Sequence, residues 1–255
     1  MSNTVYVITG TNKGIGLGLV KALLARPSIT VVASVRNDDA AASLKASIAD
    51  LPKGDDSKLH VMLLDFSKAP SPATVREAFT AATSGTIDHI DILISNAAAP
   101  FPMTPTFTVT PEDLRNAFEI NTIAPLMVFQ GLWPLMDNRE EAGVPVKFIG
   151  ITSSVGSIGS QEPVPGGAYG PSKAALNWLT KSLHLQHKNL VSVAVHPGWV
   201  QTYMGNYAAK EWNYDAGPPD TVESSVKGVL QVIDEASRET TSGKFVTQTG
   251  QVIPW

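Results

Sequence analysis

The opening segment constrains the fold of this chain more than any other. Thr4-Val5-Tyr6-Val7-Ile8-Thr9 is rich in β-branched and aromatic residues, the composition of a short buried strand. It runs directly into Gly10-Thr11-Asn12-Lys13-Gly14-Ile15-Gly16 and then into an apolar helical pattern from Leu17 to Leu24. Strand, glycine turn and helix in that order form the context in which a backbone folds closely around a pyrophosphate. The glycines permit the tight turn, and the helix N-terminus meets the negative charge. The spacing is G-x-x-x-G-x-G, not the commoner G-x-G-x-x-G.

The alternation continues along the chain. Apolar β-type runs predict strands near 4–9, 29–35, 58–64, 90–95, 146–152, 190–196 and 243–248. Helical periodicity falls between them, near 14–25, 38–50, 72–83, 111–136, 168–187 and 220–237. This pattern argues for an α/β fold, a parallel sheet covered by helices on both faces. Right-handed crossovers then give a Rossmann-type doubly wound sheet, expected as a single domain over 1–255. Ligands bind beyond the carboxyl ends of such strands, where Gly10, Arg36, Asp65, Asn96, Ser153 and Pro197 all fall.

Composition narrows the function classes. With 255 residues and 43% apolar content the chain can bury a large core. A net charge of -4 without a basic run argues against nucleic acid or a membrane surface as partner. The absence of cysteine excludes disulfides, thiolate metal sites and cysteine nucleophiles. His60, His89, His184, His187 and His196 lack metal-ligand spacing, so no metal is expected. No G-x-S-x-G elbow occurs, which argues against an α/β-hydrolase. No apolar run approaches spanning length and a strand begins at Thr4, so a cytoplasmic protein without a signal peptide is expected.

Tyr169-Gly-Pro-Ser-Lys173 places a phenol and an ammonium four residues apart on one helix face. An ammonium beside a phenol favours the phenolate, so the tyrosine pKa is expected to fall below its ordinary ~10. That suits a group handing a proton to a carbonyl oxygen. Alone, the pair reads more readily as an ordinary exposed helix pair. Ser153 lies sixteen residues upstream, after the strand Phe148-Ile149-Gly150-Ile151-Thr152, with Ser154 as the alternative.

Together the glycine turn and the Tyr–Lys pair resemble the short-chain dehydrogenase/reductase family, over essentially the whole chain. Asp65, with Phe66 beside it, lies where that family places an acid near the adenine. Ser95-Asn96-Ala97-Ala98 stands where it usually reads Asn-Asn-Ala-Gly, and the Ala97-Ala98-Ala99 run is a departure that adds a methyl. Asn121 matches its structural asparagine, and His196-Pro197-Gly198-Trp199-Val200-Gln201-Thr202 its Pro-Gly turn beside the nicotinamide. Local strings such as Arg36-Asn37 and Ser157-Ile158 are similar to fungal ketoreductases of the norsolorinic acid ketoreductase type and to Sniffer-type carbonyl reductases.

The resemblance implies roles. Tyr169 would donate the proton to a ketone, and Lys173 would lower its pKa and hold the nicotinamide ribose. Ser153 would orient the carbonyl, and Asn121 would hold a water linking Lys173 to solvent. Asn12, Lys13, Ile15, Asn96 and Ala97 would join the glycines around the cofactor. Thr202 and the backbone at Val200 would hold the carboxamide. Val35 stands where NAD enzymes of the family carry an acid, and Arg36 follows it. A guanidinium pairs well with phosphate, and Lys13 adds a second charge, so NADP(H) is the expected cofactor. Asp38 and Asp39 are read as the first turn of the next helix.

Trp199, Tyr203, Met204, Tyr207, Trp212 and Tyr214 crowd a segment of a chain only 7% aromatic, in the family's lid region near 203–218. With Phe101 and Phe107 as a facing wall, these rings suit a bulky aromatic or polycyclic ketone. The alternative is that they pack the lid onto the core or line a subunit contact. Another class of function, a non-catalytic NADP-binding sensor, stands against the presence of Asn, Ser, Tyr and Lys together. Many relatives pair through helices corresponding to 111–136 and 168–187, so a homo-oligomer is the expectation the resemblance carries.

Overall fold

The computed structural model describes residues 3–141 and 143–255. Elements alternate as β1 (Thr4–Ile8), α1 (Gly14–Leu24), β2 (Ile29–Val35), α2 (Asp38–Ser47), β3 (Lys58–Leu63), α3 (Pro72–Thr83) and β4 (Ile92–Ser95). There follow α4 (Pro111–Phe118), α5 (Ala124–Glu141), β5 (Val146–Ile151), α6 (Tyr169–Gln186) and β6 (Leu190–His196). The order closes with α7 (Tyr203–Glu211), α8 (Val222–Glu235) and β7 (Phe245–Thr247). The strands form one sheet in the order β3-β2-β1-β4-β5-β6-β7. Every neighbouring pair is parallel.

Side-chain alternation divides the core between the two faces. Tyr6, Ile8, Val31 and Ala33 point to the face covered by Leu19 and Leu23 of α1 and Val229 and Ile233 of α8. Val5, Val7 and Val32 point to the other, against Phe79 of α3 and Val128 and Leu132 of α5. Full burial of each such side chain contributes roughly 1.5–3 kcal/mol, so both helical layers are needed. The strand order reverses at β1, whose neighbours are β2 and β4, and opens a crevice at their carboxyl ends.

The structure corrects three expectations. The helix expected over 111–136 is two helices joined by a π-helical turn, Glu119–Ile123. Pro125 explains the break: it has no N–H to give the Asn121 carbonyl four residues earlier. The lid holds a regular helix, α7, capped by the Thr202 side chain on the Gly205 N–H at 3.1 Å. β4 begins at Ile92, because the Ile90 N–H is given to the Leu135 carbonyl.

Candidate active site

The crevice is built from the ends of β1 and β4. Thr9 Oγ1 accepts the Asn96 and Ala97 N–H groups at 3.0 and 2.9 Å. Asn96 Nδ2 donates back to the carbonyls of Thr9 and Gly10, at 2.8 and 3.0 Å. Gly10 has φ +71°, and a Cβ there would lie 2.8 Å from the Ala97 Cα, so only glycine lets the two loops meet. The alanine at position 98 fits, since Ala98 is not among the described non-glycine residues with positive φ.

The turn that follows fits a phosphate. Asn37, Ser71, Thr110, Thr202 and Thr221 cap α2, α3, α4, α7 and α8 with their side chains. Helix α1 has Lys13 at its N-cap, with no side-chain cap and no acid in its first turn. The first-turn amides of Ile15 and Gly16 are therefore left for an anion. Asn12 and Gly14 complete this turn, and Thr202 Cγ2 lies 3.3 Å from where a Gly14 Cβ would sit, so the Pro-Gly loop closes over it. Lys13 is exposed, with Nζ 5.2 Å from the centre of the Tyr203 ring.

Arg36 is exposed beyond buried Val35, and Asn37 caps α2 through the Ala40 N–H, with Asp38 and Asp39 in the first turn. Asp65 is exposed at the end of β3, where it accepts from the Ser67 N–H and hydroxyl, both at 2.9 Å. Phe66 turns inward and packs against the core.

Across the crevice lie the titratable groups. Tyr169 opens α6 and Lys173 follows one turn later, both buried. The Ser153 side chain lies close enough to the Tyr169 phenol to lower its pKa, and Ser153 Oγ accepts the Val155 N–H at 3.2 Å. Ser154 instead gives its backbone N–H to His196 Nδ1 at 3.2 Å. Lys173 Nζ donates to the Ile151 carbonyl at 3.0 Å and sits 5.7 Å from the centre of the Tyr169 ring. Burial pushes the Tyr169 phenol up to about 12, against a smaller lowering by Ser153, and brings the Lys173 ammonium down to about 7. The expected fall in the tyrosine pKa is thus reversed: desolvation of the phenol outweighs the lowering by Ser153.

Asn121 is fully buried in the π turn. Its Oδ1 accepts from the Ala99 N–H at 3.3 Å, and its Nδ2 donates to Ser172 Oγ at 3.1 Å. Ser172 Oγ donates to the Tyr169 carbonyl at 2.7 Å, so Asn121 braces the first turn of α6. Behind β6, the Pro197 carbonyl accepts from Ser225 Oγ at 2.6 Å, and Val200 bridges to Asp220. Gly198 adopts φ +88° in this loop.

The lid rings divide by role. Tyr207, Trp212 and Met204 pack with Met103, Val155 and Tyr169, over the titratable groups. Trp199 is held by its indole N–H on the Gly205 carbonyl at 3.1 Å, between Trp212 and Tyr214. Tyr203 is 68% exposed. Phe101 is buried with Ala117 and Ala168 in a separate cluster, and Phe107 is 89% exposed, so they do not form the expected wall. Met103 is the residue of this loop that packs with Tyr169. Sequence reasoning missed it because a lone methionine in a proline-rich loop carries no periodicity.

A family model described as short chain dehydrogenase matches residues 4–213. The chain is 38% identical over 263 residues to a short-chain dehydrogenase of Pyricularia oryzae, covering 99% of both chains. It is 37% identical over 256 residues to a norsolorinic acid ketoreductase of Dothistroma septosporum, covering 99% of this chain and 92% of that one. Among solved structures, the carbonyl reductase Sniffer of D. melanogaster superposes with a TM-score of 0.83 at 27% identity, over the whole of both chains. An NADPH-bound carbonyl reductase from chicken fatty liver does so with a TM-score of 0.83 at 28% identity, again over both whole chains. With its motifs placed along one rim of a doubly wound sheet, the chain belongs to the short-chain dehydrogenase/reductase family of oxidoreductases.

Proposed function

We propose that this protein is an NADPH-dependent ketoreductase acting on a bulky, aromatic or polycyclic ketone. The observation that carries the reading is the buried Ser153–Tyr169–Lys173 group beside an uncapped helix N-terminus. When bound, NADPH supplies the hydride. Ser153 and Tyr169 present two hydroxyls to one carbonyl oxygen, orienting it and stabilising the charge that develops there. Tyr169 donates the proton, and its raised pKa keeps it protonated at neutral pH. Lys173 sits near half-charge at neutral pH, so gaining a proton there draws the phenol pKa back down. Its Nζ is also the group that would hold the nicotinamide ribose, and Asn121 braces the helix carrying both.

Arg36 and Lys13 favour the phosphate of NADPH, and the name of the NADPH-bound relative supports the same cofactor. Met103, Met204, Tyr207 and Trp212 supply apolar surface for a flat substrate, in keeping with the ketoreductase names of the fungal relatives. The test is turnover of a ketone panel with NADPH, read by loss of nicotinamide absorbance. Tyr169→Phe should retain NADPH binding and lose at least ~10²-fold in kcat. Substantial turnover by that variant overturns the mechanism.

A further inference from the structure

His196 ends β6, one residue before the Pro197-Gly198 loop. Its Nδ1 accepts the backbone N–H of Ser154, 3.2 Å away on the neighbouring strand end. Ser154 is the residue immediately after Ser153, and its N–H lies in the tight turn Ser154–Gly156 that leaves β5. The β5–β6 ladder ends at Ile151 paired with Val195, so beyond it the two strands part. The Thr152 N–H still reaches the Val195 carbonyl at 2.8 Å. The next cross-link is a side chain: the imidazole takes over where the ladder stops.

We infer that His196 is a positioning residue, which couples the loop carrying Ser153 to the Pro197-Gly198 loop and so sets the Ser153 hydroxyl against the Tyr169 phenol. The inference rests on the ketoreductase reading of the site. The chemistry requires one tautomer. Nδ1 must carry a lone pair to accept the Ser154 N–H, so the ring is neutral with its proton on Nε2. A second proton would set N–H against N–H and break the link. Two charged groups act on the ring through space, Glu162 from the loop before α6 and Asp220 from the segment before α8. Both favour protonation, and burial opposes them with the larger effect, holding the imidazole below its ordinary range and in the form that accepts.

Asparagine offers a direct discriminator, since its Oδ1 can stand where Nδ1 stands and accept the same N–H at any pH. Leucine fills similar space without an acceptor. The experiment compares wild type, His196→Leu, His196→Asn, Ser153→Ala and the double variant Ser153→Ala/His196→Leu, all with NADPH. His196→Leu should lower kcat by about tenfold or more, as expected when a reacting group is misplaced, with KM for NADPH changed less than about threefold. His196→Asn should recover most of that loss, and its kcat should lack the decline that wild type shows as the imidazole protonates below its ordinary ~6.5. In the Ser153→Ala background, His196→Leu should cost almost nothing further, because the link acts through Ser153. Equal impairment of the Leu and Asn variants, or full additivity with Ser153→Ala, overturns the positioning role and leaves His196 a packing residue. If wild type turns over no ketone, the ketoreductase reading itself fails. An active wild type with an unimpaired His196→Leu variant sinks this inference alone.

Discussion

Arg36 stands exposed one residue beyond Val35, which is buried in the sheet, so the end of β2 offers a cation and no acid. A hydrogen bond to a charged group is worth roughly 1.5–3 kcal/mol, so Arg36→Ala should weaken NADPH binding by one to two powers of ten. NADH binding, titrated in parallel, should hardly change. Lys173 makes a different statement, about stability. Its ammonium is held near 7 in the fold and returns to 10.5 in the unfolded chain. Between those values the unfolded chain binds the extra proton, so stability is fully present above about 10.5 and falls as pH drops toward 7. Thermal midpoints of Lys173→Met should therefore vary less with pH over that window than those of the wild type; equal slopes would show that Lys173 keeps its charge. Tyr169 and Lys173 were legible because i, i+4 spacing on a helix decides which side chains share a face. The direction of the Tyr169 shift was not legible, since it depends on how completely loops distant in sequence cover the phenol.

At the level of elements, strand and helix order could be read along the chain, because burial on both faces imposes apolar runs on each parallel strand. What periodicity missed was interruption. The π turn at Asn121 leaves the apolar pattern of α4 and α5 nearly in phase, and only Pro125 betrays it. The lid helix was hidden by Gly205, a poor helix former that is present because a Cβ there would strike the Val200 carbonyl. That helix carries Tyr207 toward Tyr169, while Trp212, just past its end, is tied by its indole N–H to the Pro165 carbonyl at 3.0 Å. Trp212→Ala and Tyr207→Ala should each lower kcat/KM for a bicyclic ketone by about tenfold and change that for a short-chain ketone little. Equal losses on both ketones would mean that the rings serve the lid and not the substrate.

The whole molecule is polarised along its strands. The carboxyl ends carry the candidate site, and a buried clamp lies at the other rim. There Asp91 accepts the Val5 N–H at 2.8 Å and the Arg139 guanidinium at 2.9 and 2.8 Å. Asp91→Ala leaves that cation and amide without their partner, and should lower unfolding free energy by about 2–3 kcal/mol in urea with kcat nearly unchanged. A comparable loss of kcat would show that the two rims are not independent. The same parallel sheet has two ends, and they are finished differently. Beside β7 the chain turns back on itself: Val252 bridges antiparallel to Val246, and the Ile253 N–H reaches the Phe245 carbonyl at 2.9 Å. β3, at the opposite end, has no outer neighbour among the described residues and borders a groove of about 700 Å³ that Lys45, Lys53 and Lys58 line. Lysines from α2, the loop before β3 and β3 itself thus stand beside the open strand, where like charge makes two copies repel before their backbones can pair, a colloidal safeguard that fades as salt shortens the reach of charge.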